Sequence, residues 1–282
     1  VALGDLDGDG DLDAYAVNGY FSSYDKVFLN DGTGTFADNG QTLASGFNRD
    51  VDLGDVDADG DLDAFIVAYP NTAPFTYIND GSANFSLSWQ GPAVVEASAV
   101  CLGDLDSDGD LDAYLGCLIF SGSDKSDKIY WGNGTGGFSD SGYNLGTYDS
   151  DEVALGDIDN DGDLDVVTCS TDSRFVSWSN SGTGFMTEKQ NIWATGAVGV
   201  ELGDLDNDND LDMFWVCDLH PDEIWLNDGF GIFTDTGQSL PNPGSNHVAL
   251  GDLNGDGSLD AYCPVEYGDD YVWFNDPPPS PT

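Results

Sequence analysis

Aspartates recur at alternate positions in six short segments. They read GDLDGDGDLD from Gly4, GDVDADGDLD from Gly54, GDLDSDGDLD from Gly103, GDIDNDGDLD from Gly156, GDLDNDNDLD from Gly203 and GDLNGDGSLD from Gly251. Counted from the first Asp, the pattern is D-x-D-x-D-G-x-x-D. Carboxylates at positions 1, 3 and 5 converge on one point when such a loop coils. Glycine at position 6 permits the sharp turn, position 7 supplies a backbone carbonyl, and position 9 closes the shell. Six or seven hard oxygen ligands suit Ca2+ far better than zinc or copper.

The first loop offers Asp5, Asp7, Asp9 and Asp13 with the carbonyl of Asp11, and the second Asp55, Asp57, Asp59 and Asp63 with that of Asp61. The third offers Asp104, Asp106, Asp108 and Asp112 with the carbonyl of Asp110, and the fourth Asp157, Asp159, Asp161 and Asp165 with that of Asp163. The fifth offers Asp204, Asp206, Asp208 and Asp212 with the carbonyl of Asp210, and the sixth Asp252, Asn254, Asp256 and Asp260 with that of Ser258. About six Ca2+ ions are expected. An EF-hand would need Glu at position 12, where the first loop has Ala16, and helical flanks. Solvated acidic turns are the plain alternative. Six copies at constant spacing argue against them, as does a repulsion of a few kcal/mol per carboxylate pair at an effective dielectric of roughly 20. Asn209 replaces the turn glycine of the fifth loop and tolerates a left-handed backbone.

Strands must position these loops. The interval between segments is roughly 50 residues, in the range of propeller blades. In the first repeat a short apolar run enters the loop and a β-branched and aromatic run, 12–17, leaves it. A third strand at 26–29 ends in the tight-turn signal Asn30-Asp31-Gly32, and a fourth spans 36–43. The second repeat repeats the series at 75–78 and 85–89, the fifth at 224–226 and 233–240. No long segment has a 3.6-residue period, so helices are not expected. The fold class is therefore all-β: one propeller over 1–276 with six blades of mostly four antiparallel strands. Repeats start near 1, 51, 100, 153, 200 and 248. The glycine before each first Asp suits close strand packing. Leu12, Leu62, Leu111, Leu164, Leu211 and Leu259 at position 8 read as anchors of each loop to its own blade. The sixth repeat stops after a strand at 271–274, so its blade is incomplete, and 277–282 read as a proline-rich tail.

The composition sets limits. Against 53 Asp and Glu stand six Lys and Arg, a formal net charge of −47, which disfavours nucleic acid and anionic membranes as partners. Disorder, the other reading of such charge, conflicts with 12% aromatics and regular apolar runs. No run of about 20 apolar residues signals membrane insertion. The start at Val1, without Met, implies processing or a piece of a longer chain. Cys101, Cys117, Cys169, Cys217 and Cys263 form no CxxC pair; buried free thiols and one or two disulfides both remain open. Asn84 and Asn133 head sequons in hairpin turns.

The six G-D-x-[DN]-x-D-[GN]-x-L-D segments resemble FG-GAP and VCBS repeats and are similar to the calcium-binding blades of integrin α-subunit propellers. The resemblance implies calcium loops on one face and partners on the other. It places a protein or glycan ligand on the inter-blade loops and the second-to-third strand loops, the latter being 18–25 with Tyr20, Phe21 and Tyr24, then 69–75, 118–128, 171–175, 218–223 and 265–270.

Three functions follow as expectations. The first is a non-enzymatic extracellular or cell-surface adhesion and interaction module, with no catalytic residues. The second is a structural subunit of an extracellular filament or coat, self-assembling through the open edge at 271–274. The third, a polysaccharide-active enzyme, would draw on His220, His247 and the few cations, Lys26, Arg49, Lys125, Lys128, Arg174 and Lys189, none in a recognisable catalytic arrangement.

Overall fold

The computed structural model describes residues 1–19, 23–44, 46–68, 73–92, 96–118, 126–170, 174–193, 196–217, 220–241, 244–245, 247–265 and 268–275. Every regular element among them is a strand. The packing forms two compact units, Val1–Ser150 and Asp151–Thr282. The first holds three sheets: β1 (Ala2–Gly4), β2 (Asp13–Ala16), β3 (Lys26–Asn30) and β4 (Phe36–Asp38); β5 (Asn48–Gly54), β6 (Asp63–Ala68), β7 (Phe75–Asn79) and β8 (Phe85–Gln90); β9 (Ala97–Gly103), β10 (Asp112–Cys117), β11 (Lys128–Gly132) and β12 (Phe138–Asp140). The second holds β13 (Glu152–Gly156), β14 (Asp165–Ser170), β15 (Arg174–Ser179) and β16 (Thr187–Trp193); β17 (Ala197–Gly203), β18 (Asp212–Cys217), β19 (Asp222–Asn227) and β20 (Phe233–Leu240); and finally β21 (Ala249–Gly251), β22 (Asp260–Cys263) and β23 (Tyr271–Trp273). Each sheet is an antiparallel meander in chain order. The fold class is an all-β propeller of six blades, the last with three strands.

The second strands carry the core. β6, β10, β14 and β18 are buried at every position, so both faces of each strand are covered. Pleating still sorts their side chains. Ala64, Ile66 and Ala68 of β6 join Leu6, Tyr15 and Val27 of the first sheet. Phe65 and Val67 join Ala113, Leu115 and Tyr130 of the third.

The head of a fourth strand bolts one sheet to the sheet before it. Phe85 meets Tyr15 edge-on at 5.2 Å, Phe138 meets Phe65 at 4.8 Å, and Phe233 meets Phe175 at 5.5 Å. Each buried ring is worth about 1.5–3 kcal/mol. Glutamines hold the backbone of two of them. The Gln41 side chain donates to the Phe85 carbonyl and accepts its N–H, and Gln190 does the same for Phe233.

Two sequence expectations need correction. β4 ends at Asp38, well short of 43, because Gly40 turns left-handed (φ 81°) and its N–H is captured by the Asp38 carboxylate. Four of the position-8 leucines reach beyond their own sheets to the preceding one. Leu62 reaches the preceding sheet, where a Cβ on Gly4 would lie 2.5 Å from its Cδ1. Leu111 meets Gly54, Leu211 meets Gly156 and Leu259 meets Gly203 in the same way. Leu12 is 57% exposed. The bare glycine makes room for the neighbour's leucine. All five cysteines are free thiols, four of them buried. Burial pushes the Cys217 and Cys263 thiols up to about 12 and Cys169 well above its usual range, which makes them unreactive.

Candidate metal centres

Each Asp loop joins the first and second strands of its sheet, and the last rung of that ladder tethers it. The rungs are Gly4↔Asp13, Gly54↔Asp63, Gly103↔Asp112, Gly156↔Asp165, Gly203↔Asp212 and Gly251↔Asp260. The glycine before position 1 and the aspartate at position 9 are therefore paired residues in all six repeats.

The aspartates divide the work of shaping the loop. At position 1, both oxygens of Asp5 accept loop amides: Gly8 and Asp9 on Oδ1, Gly10 on Oδ2. Asp55, Asp104, Asp157, Asp204 and Asp252 repeat the grip on the amides at positions 5 and 6. At position 5, Asp9, Asp59, Asp108, Asp161, Asp208 and Asp256 each accept the N–H of position 7. At position 9, Asp13 accepts Leu6 N–H on Oδ2 and Asn30 N–H on Oδ1, tying the loop to the end of β3. Asp63, Asp112, Asp165, Asp212 and Asp260 make the same two bonds. At position 7, the carboxylates of Asp11, Asp61, Asp110, Asp163 and Asp210 lie against the left-handed glycines Gly32, Gly81, Gly134, Gly182 and Gly229 of the adjoining hairpin turn.

This scaffold gathers carboxylates. Oxygens lie within 4.8 Å of one another in Asp5, Asp7 and Asp13; Asp55, Asp57 and Asp63; Asp104, Asp106 and Asp108; Asp157, Asp159 and Asp165; and Asp204, Asp206 and Asp212. Such acidic clusters could bind a metal ion. Position 3 shows the fit. Oδ1 of Asp57, Asp106 and Asp159 is buried and has no hydrogen-bond partner. A buried carboxylate oxygen without a partner is costly, and a cation in the cluster would satisfy it. The donor set is oxygen alone, which fits a hard dication.

The electrostatics agree. Burial, then neighbouring carboxylates, raises the Asp7 and Asp57 carboxyls above the usual range, and likewise Asp106 and Asp206. Burial pushes Asp63 and Asp165 up to about 7, and Asp112 and Asp212 up to about 6, against the opposing pull of their backbone N–H bonds. A dication reverses this balance.

The loops are not equal. Lys189 lies 3.1 Å from Asp159 Oδ2 and competes for the fourth cluster. The sixth loop is not among the gathered sets of described residues. Its position 3 is Asn254, whose amide donates to Asp256.

Three features escaped the sequence reading. Position 4 is left-handed in every loop, held by Gly8, Ala58, Ser107, Asn160, Asn207 and Gly255 with φ of 58–80°. The mixed residue types hid it. Second, the asparagine that ends the third strand is a strut as well as a turn residue. Asn79 donates to the carbonyls of Leu62 in its own loop and Leu6 in the preceding one; Asn227 joins Leu211 and Ile158 likewise. Third, an aspartate opens the third strand and closes the loop before it. Asp25, Asp127, Asp222 and Asp270 accept the N–H of Asn18, Cys117, Cys217 and Val265. The recurring triplets Asp25-Lys26-Val27, Asp127-Lys128-Ile129, Asp222-Glu223-Ile224 and Asp270-Tyr271-Val272 were its signal.

Much of the expected partner surface, including Tyr20, Phe21, Lys125 and residues 69–72, 119–124, 171–173, 218–219 and 266–267, lies outside the described residues, as does the tail at 277–282. Arg174 stacks 3.8 Å over the Trp193 ring, and His247 faces Glu152 at 3.7 Å with its side chain 70% exposed.

The repeat and its sheets define a class, the propellers built from aspartate-loop blades. The FG-GAP-like repeat family matches residues 5–66, 55–115, 118–168, 157–215 and 204–263, and the chain belongs to that family. No curated protein sequence matches it. Among solved structures, the SapL1 lectin in complex with alpha methyl fucoside is similar over 99% of this chain and 96% of its own, with 15% identity and a TM-score of 0.61. BBS1N in complex with ARL6DN is similar over 96% of this chain and 76% of its own, with 9% identity and a TM-score of 0.60. A putative 6-phosphogluconolactonase from Bacteroides uniformis covers 80% of this chain and 69% of its own at 13% identity and a TM-score of 0.59. These likenesses are of fold alone.

Proposed function

We propose that this chain is a calcium-loaded, non-enzymatic interaction module of an extracellular or cell-surface protein. The observation that carries the calcium reading is the set of buried, unpartnered oxygens on Asp57, Asp106 and Asp159, each within a carboxylate cluster. FG-GAP-like repeats commonly bind Ca2+, and the family match supports the choice. Carboxylate loops of this kind suit the calcium concentrations found outside cells. The ions would be held by positions 1, 3, 5 and 9 and the position-7 carbonyl, and would supply the charge that lets these acids pack together. The protein or glycan ligand belongs on the opposite ends of the sheets, where the loops vary most between repeats. Membership of a propeller family supports a binding role, since sheets of this kind present varied loops on a fixed frame.

A second reading is a subunit of an extracellular assembly. It draws on β23, whose Tyr271 and Val272 are 38% and 42% exposed at the outer edge of the three-stranded sheet.

Calorimetric titration with Ca2+, Mg2+ and Zn2+ tests the metal reading. Five or six calcium ions per chain are expected, with poor competition by magnesium, which prefers a smaller octahedral shell. Fewer than five, or a preference for zinc, overturns it. Screening immobilised glycans and matrix proteins with calcium and with chelator tests the module. Retention that is lost in chelator is expected, and turnover of a retained glycan would sink the non-enzymatic assignment.

A further inference from the structure

Consecutive loops are joined by a residue that belongs to neither ligand set. In the first unit, Asp13 Oδ2 accepts the Leu6 N–H at 3.0 Å, the Leu6 carbonyl accepts the Asn79 side-chain amide at 2.8 Å, and the Asn79 N–H donates to Asp63 Oδ1 at 2.8 Å. The path runs from the position-9 carboxylate of the first loop to that of the second. The same amide nitrogen donates to the Leu62 carbonyl of the second loop at 3.2 Å. In the second unit Asp165, Ile158, Asn227 and Asp212 repeat the path, with bonds of 3.0, 2.8 and 2.9 Å. Asn160 adds a direct link there, its amide donating to Asp210 Oδ1 at 2.8 Å.

The residue type suits the task. A side-chain amide carries two N–H donors, so Asn79 grips one carbonyl from each loop. Asn79 and Asn227 are 2% and 6% exposed, so water does not take over these bonds. Both ends of each path are gathered carboxylates, since Asp13, Asp63, Asp165 and Asp212 each lie in a cluster. The second and third loops supply the contrast. Like the first pair, they share a leucine contact, Leu111 on Gly54, and a backbone bond from the hairpin turn. That bond runs from the Gly136 N–H to the Val56 carbonyl, as the Ala83 N–H bonds Leu6 in the first pair. The strut position is Gly132, where a Cβ would collide with the Leu111 carbonyl. The set gathered in the third loop is Asp104, Asp106 and Asp108, without the position-9 Asp112.

We propose that Asn79 and Asn227 are positioning residues that couple the metal sites of consecutive loops, so that filling one loop tightens its neighbour. The inference rests on the calcium reading above and deepens it. In an empty loop the gathered carboxylates repel one another, and the loop gains by splaying. A bound dication fixes Asp13, and with it Leu6, Asn79 and the Asp63 carboxylate that the second loop needs. Ordering done in one loop is then already done for the other, which is positive cooperativity. The second and third loops, without the strut, fill nearly independently.

The test uses the full chain and amide hydrogen exchange, read by mass spectrometry across a calcium titration. Peptides covering residues 4–13, 54–63 and 103–112 each report the midpoint of their own loop. Asp57→Ala disables the second loop at a carboxylate whose Oδ1 has no hydrogen-bond partner. It should raise the midpoint of the first loop about fivefold or more, the low end of ordinary coupling between sites, and move the third loop much less. Asp7→Ala should raise the midpoint of the second loop by the same factor, because coupling is reciprocal. In an Asn79→Ala background the first loop should no longer respond to Asp57→Ala, a change that a merely structural role for Asn79 would not produce. If Asn79→Ala folds poorly, Asn227→Ala with Asp206→Ala, read at 157–165, repeats the measurement in the second unit. A first loop indifferent to Asp57→Ala, equal shifts in the first and third loops, or a shift that survives loss of the strut overturns the proposal. Exchange that ignores calcium in every loop sinks the calcium reading and this inference with it, a result distinct from calcium-responsive loops that titrate independently.

Discussion

Stripping calcium from the loops should lower the melting temperature by about 20 °C. Five carboxylate triads lie within 4.8 Å. At that spacing one ionised pair repels by about 3 kcal/mol at an effective dielectric of about 20. A dication removes the repulsion and binds the folded loop alone, so its binding free energy adds to stability. At 100 times its dissociation constant each ion contributes about 2.7 kcal/mol, and five contribute about 13 kcal/mol, comparable to the whole stability of an ordinary domain. The unfolding entropy of a chain of 282 residues is about 0.6 kcal/mol/K, which converts that loss to about 20 °C. Thermal unfolding in calcium, in chelator, and in chelator with magnesium restored is the assay, and magnesium should rescue poorly. Asp106→Asn adds a change of sign. With calcium it should cost one site, about 5 °C. In chelator it should be neutral or stabilising, because it removes one repelling charge from a crowded triad. Equal melting temperatures in calcium and chelator would show that the sheets stand without the ions and would refute the reasoning.

Lys189→Met should tighten the weakest calcium step in a titration, because Lys189 competes for Asp159 at 3.1 Å; an unchanged weakest step would place that site elsewhere. Ala58→Gly should stabilise by about 0.5–1 kcal/mol in denaturant melts, since Ala58 is exposed at φ 61° and loses no packing. Asp127 is buried under Tyr114, Ser150 and the Cys117 amide, and burial pushes its carboxyl up from 3.8 to about 7. The folded chain therefore holds this proton more tightly than the unfolded one. Its cost is absent below about pH 4, grows between pH 4 and 7, and is complete above pH 7, on the order of 4 kcal/mol. In saturating calcium, Asp127→Asn should flatten the fall in stability across that window; an unchanged slope would mean that other groups set it.

What the sequence determined by itself was whatever repeats. Six aspartate loops, their strand flanks, the Asn-Asp-Gly turns and the truncated sixth sheet were legible because each obeys a local rule of spacing or turn chemistry that six copies make unmistakable. The acidic clusters that could bind a metal ion were legible for the same reason: the carboxylates gathered within 4.8 Å belong to the repeating pattern. Local rules erred at β4, where an Asp38–Gly40 turn ended a strand that composition would have continued. Only tertiary structure decided what crosses between sheets. Leu62, Leu111, Leu211 and Leu259 pack on a neighbour's glycine, Asn79 spans two loops, and Gln41 grips a residue 44 positions away. No periodicity within one repeat announces those contacts, because the partner lies one repeat along the chain. Tertiary structure also separated loops that look alike on paper. Lys189 enters the fourth cluster from β16, because convergence of charge is set by where side chains meet and not by their order in the chain.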